Sequence, residues 1–323
     1  MFSRLHRVVA FIAAACSVSF PVSRSFACSV CQCGDPLFSS SGSNAQPHGA
    51  FSFYLEGLVS TKSSGVLPDD PEEPPPPGDR ERSFDKELTA YASWTPISRL
   101  TLSASVPFKW ITITETHDGV SQDHNNHGFG DAAFYVNGTI WQDLEHNPIS
   151  WVDVRAMVKA PTGQSSKTIA GESDPHIQVG TGSWDFGFGL GAGHHFEHFA
   201  LYGSLFYRVN TEGSLHYEYG DVFLANLIAT SEAFPLFGGL LVRPGAELNL
   251  RYNQKDQFRG VNYDHSGGTI VYATPVLEIP LTSNPEQRAP WLRLAIRMPL
   301  GDGGLYGHQH EGFVYTAGIG FAF

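Results

Sequence analysis

The sequence predicts an all-β chain: a transmembrane, antiparallel, up-and-down β-barrel of about twelve strands. Three observations carry that reading. Segments of period two recur from residue 49 to residue 323. Their two faces are unlike, one apolar and the other small, polar or charged. The connections alternate long and short, the rhythm of a barrel with long loops at one mouth and tight turns at the other.

The N-terminus bears on the compartment. Arg4, His6 and Arg7 form a basic head, Val8 to Cys16 an apolar run, and Ser25-Phe26-Ala27 a small-x-small cleavage site. This is the pattern of a secretory signal peptide, too short to span a membrane as a helix. Cleavage is expected after Ala27. Removing 27 of 323 residues leaves 296, and the three Arg that leave take the formal net charge from −12 to about −15. So acidic a chain is a poor partner for nucleic acid. With 34 Gly, 23 Phe, 12 Tyr and few charges, the composition suits one barrel.

Strands are expected near 49–59, 85–95, 100–114, 129–141, 149–160, 179–193, 199–210, 219–230, 237–250, 268–280, 291–300 and 312–323. That is an even number, as in single-chain bacterial barrels. In 100–108, Leu100, Leu102, Ala104, Val106 and Phe108 alternate with Thr101, Ser103, Ser105 and Pro107. In 152–160, Val152, Val154, Ala156, Val158 and Ala160 alternate with Asp153, Arg155, Met157 and Lys159. In 291–298, Trp291, Arg293, Ala295 and Arg297 oppose Leu292, Leu294, Ile296 and Met298. The charged parity is assigned to the lumen and the apolar parity to lipid. Parity alone would also allow a soluble sandwich with an apolar core.

The connections separate the two. Long ones are 60–84, 115–128, 161–178, 211–218, 251–267 and 301–311; short ones are 96–99, 142–148, 194–198, 231–236 and 281–290. Long extracellular loops and short periplasmic turns give this alternation. Both termini then lie in the periplasm. The final strand, with Phe313, Tyr315, Ala317, Ile319, Phe321 and Phe323 on one parity, resembles the closing strand of a bacterial outer-membrane barrel. The resemblance makes Phe323 the assembly signal read by the barrel assembly machinery.

Three motifs then read as a group: Gly128-Phe129-Gly130-Asp131, Lys159-Ala160-Pro161-Thr162-Gly163 and Gly180-Thr181-Gly182-Ser183-Trp184-Asp185-Phe186. Their order and spacing resemble the transporter-like outer-membrane family catalogued as the MetA pathway of phenol degradation, over roughly residues 85–323. The resemblance implies a β-barrel that passes small compounds. The glycines suit tight backbone at strand ends. Asp131 and Asp185 are expected as inward polar groups at the rim, structural or in contact with cargo. Gly187, Gly189, Gly191 and Gly193 share one parity and leave room inside the wall, for a bend or for something that fills the lumen.

The mature chain would open on Cys28, Cys31 and Cys33 in a CxxCxC head, followed by a Gly/Ser-rich tether to residue 48. Three thiols allow a disulfide with one thiol left over, a soft-metal site for Cu or Zn, or a lipid on Cys28. Histidines offer further candidate metal ligands. His117, His124 and His127 share one segment with Asp118 and Asp123, and His308 and His310 share another with Asp302 and Glu311. No nucleophile–base–orienter set stands out, so an enzyme is not expected. Three functions remain open. The first is a channel passing or binding a small solute, metal ions among the candidates. The second is uptake of hydrophobic or aromatic organic compounds. The third is a non-conducting scaffold whose Cys head docks a periplasmic redox or efflux partner.

Overall fold

The computed structural model describes residues 49–65, 80–117, 119–145, 148–169, 172–173, 175–262, 266–282, 290–300 and 310–323. Segments 1–27 and 28–48, expected to be the signal peptide and the cysteine head, lie outside the described residues. The wall is built from β1 (Phe51–Gly65), β2 (Arg80–Ile97), β3 (Leu100–His117), β4 (Val120–Phe129), β5 (Ala132–Gln142), β6 (Ser150–Ala160) and β7 (Asp185–His195). It continues with β8 (Phe199–Val209), β9 (Val222–Ser231), β10 (Leu241–Asn253), β11 (Gly268–Pro280), β12 (Trp291–Leu300) and β13 (Val314–Ala322). β4 and β5 pair with successive halves of β3, so together they form one stave. The result is a closed wall of 12 antiparallel staves.

Closure comes from β1, which pairs with β13 from Ser52 opposite Ala322 to Val59 opposite Tyr315. The wall therefore has no free edge, the condition for a sheet in hydrocarbon, where an unpaired backbone group finds no water. Phe323 is seated by backbone hydrogen bonds to Phe51 at 2.8 and 3.3 Å.

Burial resolves what parity could not. The large apolar residues Phe53, Val59, Leu88, Val106, Phe134, Leu190, Leu205, Leu248 and Leu294 are exposed. The residues that alternate with them, among them Glu56, Asp85, Glu87, Asn226, Glu247, Arg251 and Arg293, are buried. A soluble sandwich would bury the first set and expose the second. Here the order is inverted, as lipid outside and a polar lumen require.

Two strands, 268–280 and 291–300, match the expected spans, and most of the others shift by a few residues at their ends. Two expectations are corrected. The supposed long connection 115–128 is a hairpin, in which β3 and β4 pair without interruption to His117 opposite Val120. Gly119, with φ of +79°, makes its turn. The outer face here is polar: Thr112 bonds Asn125 at 2.7 Å, Thr114 bonds Asp123 at 2.7 Å and Thr116 bonds Ser121 at 2.9 Å. With both faces polar, the alternation that marks a membrane strand vanishes while the backbone ladder continues. The stretch 179–184, expected as strand, belongs instead to the connection before β7.

Connections at the short-turn end are tight. Asp143 holds one of them by accepting from the Ile149 and Ser150 amides at 2.9 and 3.0 Å. Connections at the opposite end carry structure of their own. Tyr217–Glu218, Gln257–Phe258 and Val261–Asn262 form a small sheet over that mouth. Buried Asp256 ties it down, accepting from Tyr217 at 2.6 Å and from the Gly220 amide at 2.7 Å.

Candidate functional site

The lumen has two unlike walls. On β1, β10, β11 and β12 the inward file is charged and internally paired. Arg293 Nη2 donates to Glu247 at 2.6 Å and its Nη1 lies 3.7 Å from Glu56. Arg251 donates to Glu311 at 2.7 Å, and Tyr272 donates to the other oxygen of Glu311. Arg243 lies 3.4 Å from Glu278. Arg297 stands four residues beyond Arg293 on the same file. Buried charges persist only where partners offset their desolvation. Arg243, Arg251 and Arg293 each have a carboxylate partner, so much of the charge on this polar wall is cancelled.

The opposite wall carries two apolar clusters. Ala133 and Tyr135 of β5, Met157 of β6, Phe206 of β8, and Val222 and Leu224 of β9 form one buried cluster. Trp151, Tyr202 and Ile228 form a second. The glycine file of β7 makes room for them. A Cβ on Gly187 would lie 2.3 Å from Phe206, on Gly191 2.1 Å from Tyr202, and on Gly193 2.1 Å from Trp151. The space is filled by aromatic rings of β6 and β8 lying across bare backbone. Asp153 accepts from the Tyr202 hydroxyl at 3.1 Å, and Arg155 donates to Asn137.

The three sequence motifs meet at one point. Lys159 Nζ lies 3.0 Å from Asp131 and 2.7 Å from Asp185, and also donates to Thr181. Asp131 accepts in turn from the Gly163 amide at 2.9 Å and the Thr181 amide at 2.8 Å. Residues 22 to 50 positions apart are thus tied together by charge-assisted bonds, which are stronger than neutral ones. The glycines permit the crossing. A Cβ on Gly163 would lie 2.8 Å from both Gly130 and Gly180. This knot anchors the connection between β6 and β7, which turns inward. Ile177 and Val179, 0% and 1% exposed, pack on Ile111 and Ile113 of β3. Asn126 donates to the Ile177 carbonyl at 2.9 Å. The connection therefore narrows the lumen near the long-loop mouth.

Of the candidate metal ligands, Cys28, Cys31, Cys33 and His308 lie outside the described residues, as do the side chains of His117 and His310. His124 faces inward, 3.5 Å from Glu115, whereas His127 faces outward on the same strand. Opposite faces of one strand cannot share an ion. Among the described residues, no group of three or more His, Cys, Asp or Glu is placed to hold a metal.

Sequence reasoning missed Glu56, Glu247 and Arg251, and set Glu311 beside His308 and His310 rather than against Arg251 in the lumen. A signal existed for two of them. Glu247, Asn249, Arg251 and Asn253 alternate with Leu248, Leu250 and Tyr252.

Inverted burial, a closed wall and a two-sided lumen define an outer-membrane-type β-barrel. The family model described as "MetA-pathway of phenol degradation" matches residues 79–275, and the chain belongs to that family. Its fold is similar to the COG4313 outer membrane channel from Pseudomonas putida F1. That likeness has a TM-score of 0.60 and 16% identity over 86% of this chain and 97% of that one. A looser likeness is to the beta domain of the Bordetella autotransporter Brka. There the TM-score is 0.45, with 11% identity over 85% of this chain and 100% of that one. No curated protein matches the sequence.

Proposed function

We propose that the barrel is an outer-membrane channel for small hydrophobic compounds, aromatic ones above all. The observation that carries this is the apolar lumen wall of Tyr135, Met157, Phe206 and Leu224 facing a wall whose charges are paired. A solute with a π-face gains from aromatic rings on one side and loses little to the other. The family's description in terms of phenol degradation supports the same cargo class. A metal-ion route finds less support, because Glu56, Glu247, Glu278 and Glu311 are engaged by arginines. On this reading the long-loop mouth faces the outside and both termini face the periplasm. Residues 1–27 are removed on export, Phe323 serves assembly, and the CxxCxC head works in the periplasm, through metal, disulfide, lipid or a docked partner.

A second reading is favoured by the inward connection. Ile177 and Val179 are buried in the lumen, as a plug residue would be. The barrel is then a closed sleeve. One experiment separates the two. Mature protein in proteoliposomes is assayed for entry of toluene and phenol against glucose. Aromatic entry well above that of empty vesicles, with little gain for glucose, supports the channel. Equal entry with and without protein rejects it in favour of the sleeve.

A further inference from the structure

Outside the lumen, a groove of about 340 Å³ opens on the wall where β2, β3 and β4 lie side by side. Its outward lining is Phe84, Lys86, Trp110, Thr112, Asn125 and His127. Three of these form one row across the sheet, Lys86 opposite Trp110 and Trp110 opposite His127.

The height of the row can be read from the strands. On β2 the outward file runs from Trp94, which stacks on Phe51 near the short turns, through Ala92, Ala90 and Leu88 to Lys86. Eight residues at ~3.4 Å each cover ~27 Å of strand. At a tilt of ~40° that is about 21 Å of height, close to the ~25 Å apolar band of such barrels. Below the row the outer face is Leu88, Phe108 and Phe129. Above it are the hydrogen-bonded polar pairs Thr112–Asn125 and Thr114–Asp123. The groove therefore lies at the upper edge of the hydrocarbon.

Lys86 is the unusual member. Its ammonium lies 5.0 Å from the Phe84 ring centroid and makes no ion pair among the described residues. An outward cation with an apolar floor and a Trp beside it suits an amphiphile with an anionic head. His127 adds an imidazole. Asn125 accepts from Thr112 at 2.7 Å, which leaves its amide nitrogen to donate. The acyl chains would run down over Leu88, Phe108 and Phe129.

We propose that this groove seats the phosphate of an outer-leaflet lipid, the lipid A moiety of lipopolysaccharide, with Lys86 as its principal cation. The choice of leaflet rests on the orientation given under Proposed function; the groove chemistry does not. Lys86 faces away from the lumen, so loss of lipid binding and loss of solute flux are separate outcomes.

The test uses the purified protein in detergent, with bound lipid counted by native mass spectrometry. The probes are bisphosphorylated lipid A, dephosphorylated lipid A, phosphatidylglycerol and inorganic phosphate. Wild type should retain bisphosphorylated lipid A about tenfold more tightly than the dephosphorylated form, and should not retain free phosphate. Lys86→Gln should lose that preference, while Lys86→Arg keeps it. Heat-modifiable gel mobility verifies that each variant is folded, and toluene entry should be unchanged in both. Equal retention of bisphosphorylated lipid A by wild type and Lys86→Gln overturns the proposal. So does equal retention of both lipid A forms. Preference for phosphatidylglycerol over lipid A overturns the leaflet assignment and the proposal with it.

Discussion

Lys159 and Asp185 stand directly opposite each other on β6 and β7, with Nζ 2.7 Å from Oδ2. The same ammonium reaches Asp131 at 3.0 Å, so one cation holds two buried carboxylates at the root of the inward connection. Lys159→Met should leave both acids uncompensated and cost about 3–5 kcal/mol, the scale for breaking a buried ion pair. Urea unfolding in detergent, followed by gel mobility, measures it. A midpoint equal to wild type would remove the knot from the stability argument.

Gly163 tests the same point without charge. Its α-carbon faces Gly130 and Gly180, and a Cβ would meet both backbones at 2.8 Å. Gly163→Val should displace the inward connection, because backbone cannot yield as a flexible side chain can. Protease cleavage between residues 161 and 184 should rise in the variant. An unchanged digestion pattern counts against the crossing.

The glycine file of β7 makes a pairwise prediction. Gly191→Ala places a methyl 2.1 Å from the Tyr202 hydroxyl and should destabilise by about 1–3 kcal/mol. Tyr202→Ala opens the space again, so the double variant should be more stable than the sum of the two single effects predicts. Strict additivity would mean that ring and glycine do not meet.

Arg293 lies between Glu247 and Glu56 on the charged wall. Arg293→Met alone should cost about 3–5 kcal/mol, whereas Arg293→Met combined with Glu247→Leu should cost clearly less, since removing a buried pair together avoids an orphaned charge. Denaturant midpoints of the three proteins decide this. A double variant weaker than the single would reverse the argument.

Met157 belongs to the apolar wall. On the proposed function, Met157→Lys puts an unpaired cation in the aromatic path, where a bare charge is costly to approach with an apolar solute. Toluene entry should fall about tenfold or more while the barrel stays folded. Unaltered entry would move the path away from β5, β6 and β8.

Much of the fold was legible in the residues. Asp153, Arg155, Lys159, Arg293 and Arg297 were assigned inward from parity, and each lies on the inward file. The histidine segment was not legible. Above the membrane β3 and β4 carry polar residues on both faces, so no contrast marked His124 and His127 as strand residues on opposite sides. Ile177 and Val179 gave no sign either, because two buried apolar residues in a connection carry no period.

The sequence by itself determined the class of protein. Period-two segments with unlike faces, joined by alternating long and short connections, specify a wall between lipid and a polar interior, because each strand reports its own two environments. Tertiary structure alone decided what the interior is. The contact of Arg293 with Glu247 spans 46 positions, the knot of Asp131, Lys159 and Thr181 spans 50, and the seating of rings over Gly191 and Gly193 depends on neighbouring staves. Parity says which way a side chain points. Only closure of the barrel, with its register and curvature, sets which side chain stands opposite.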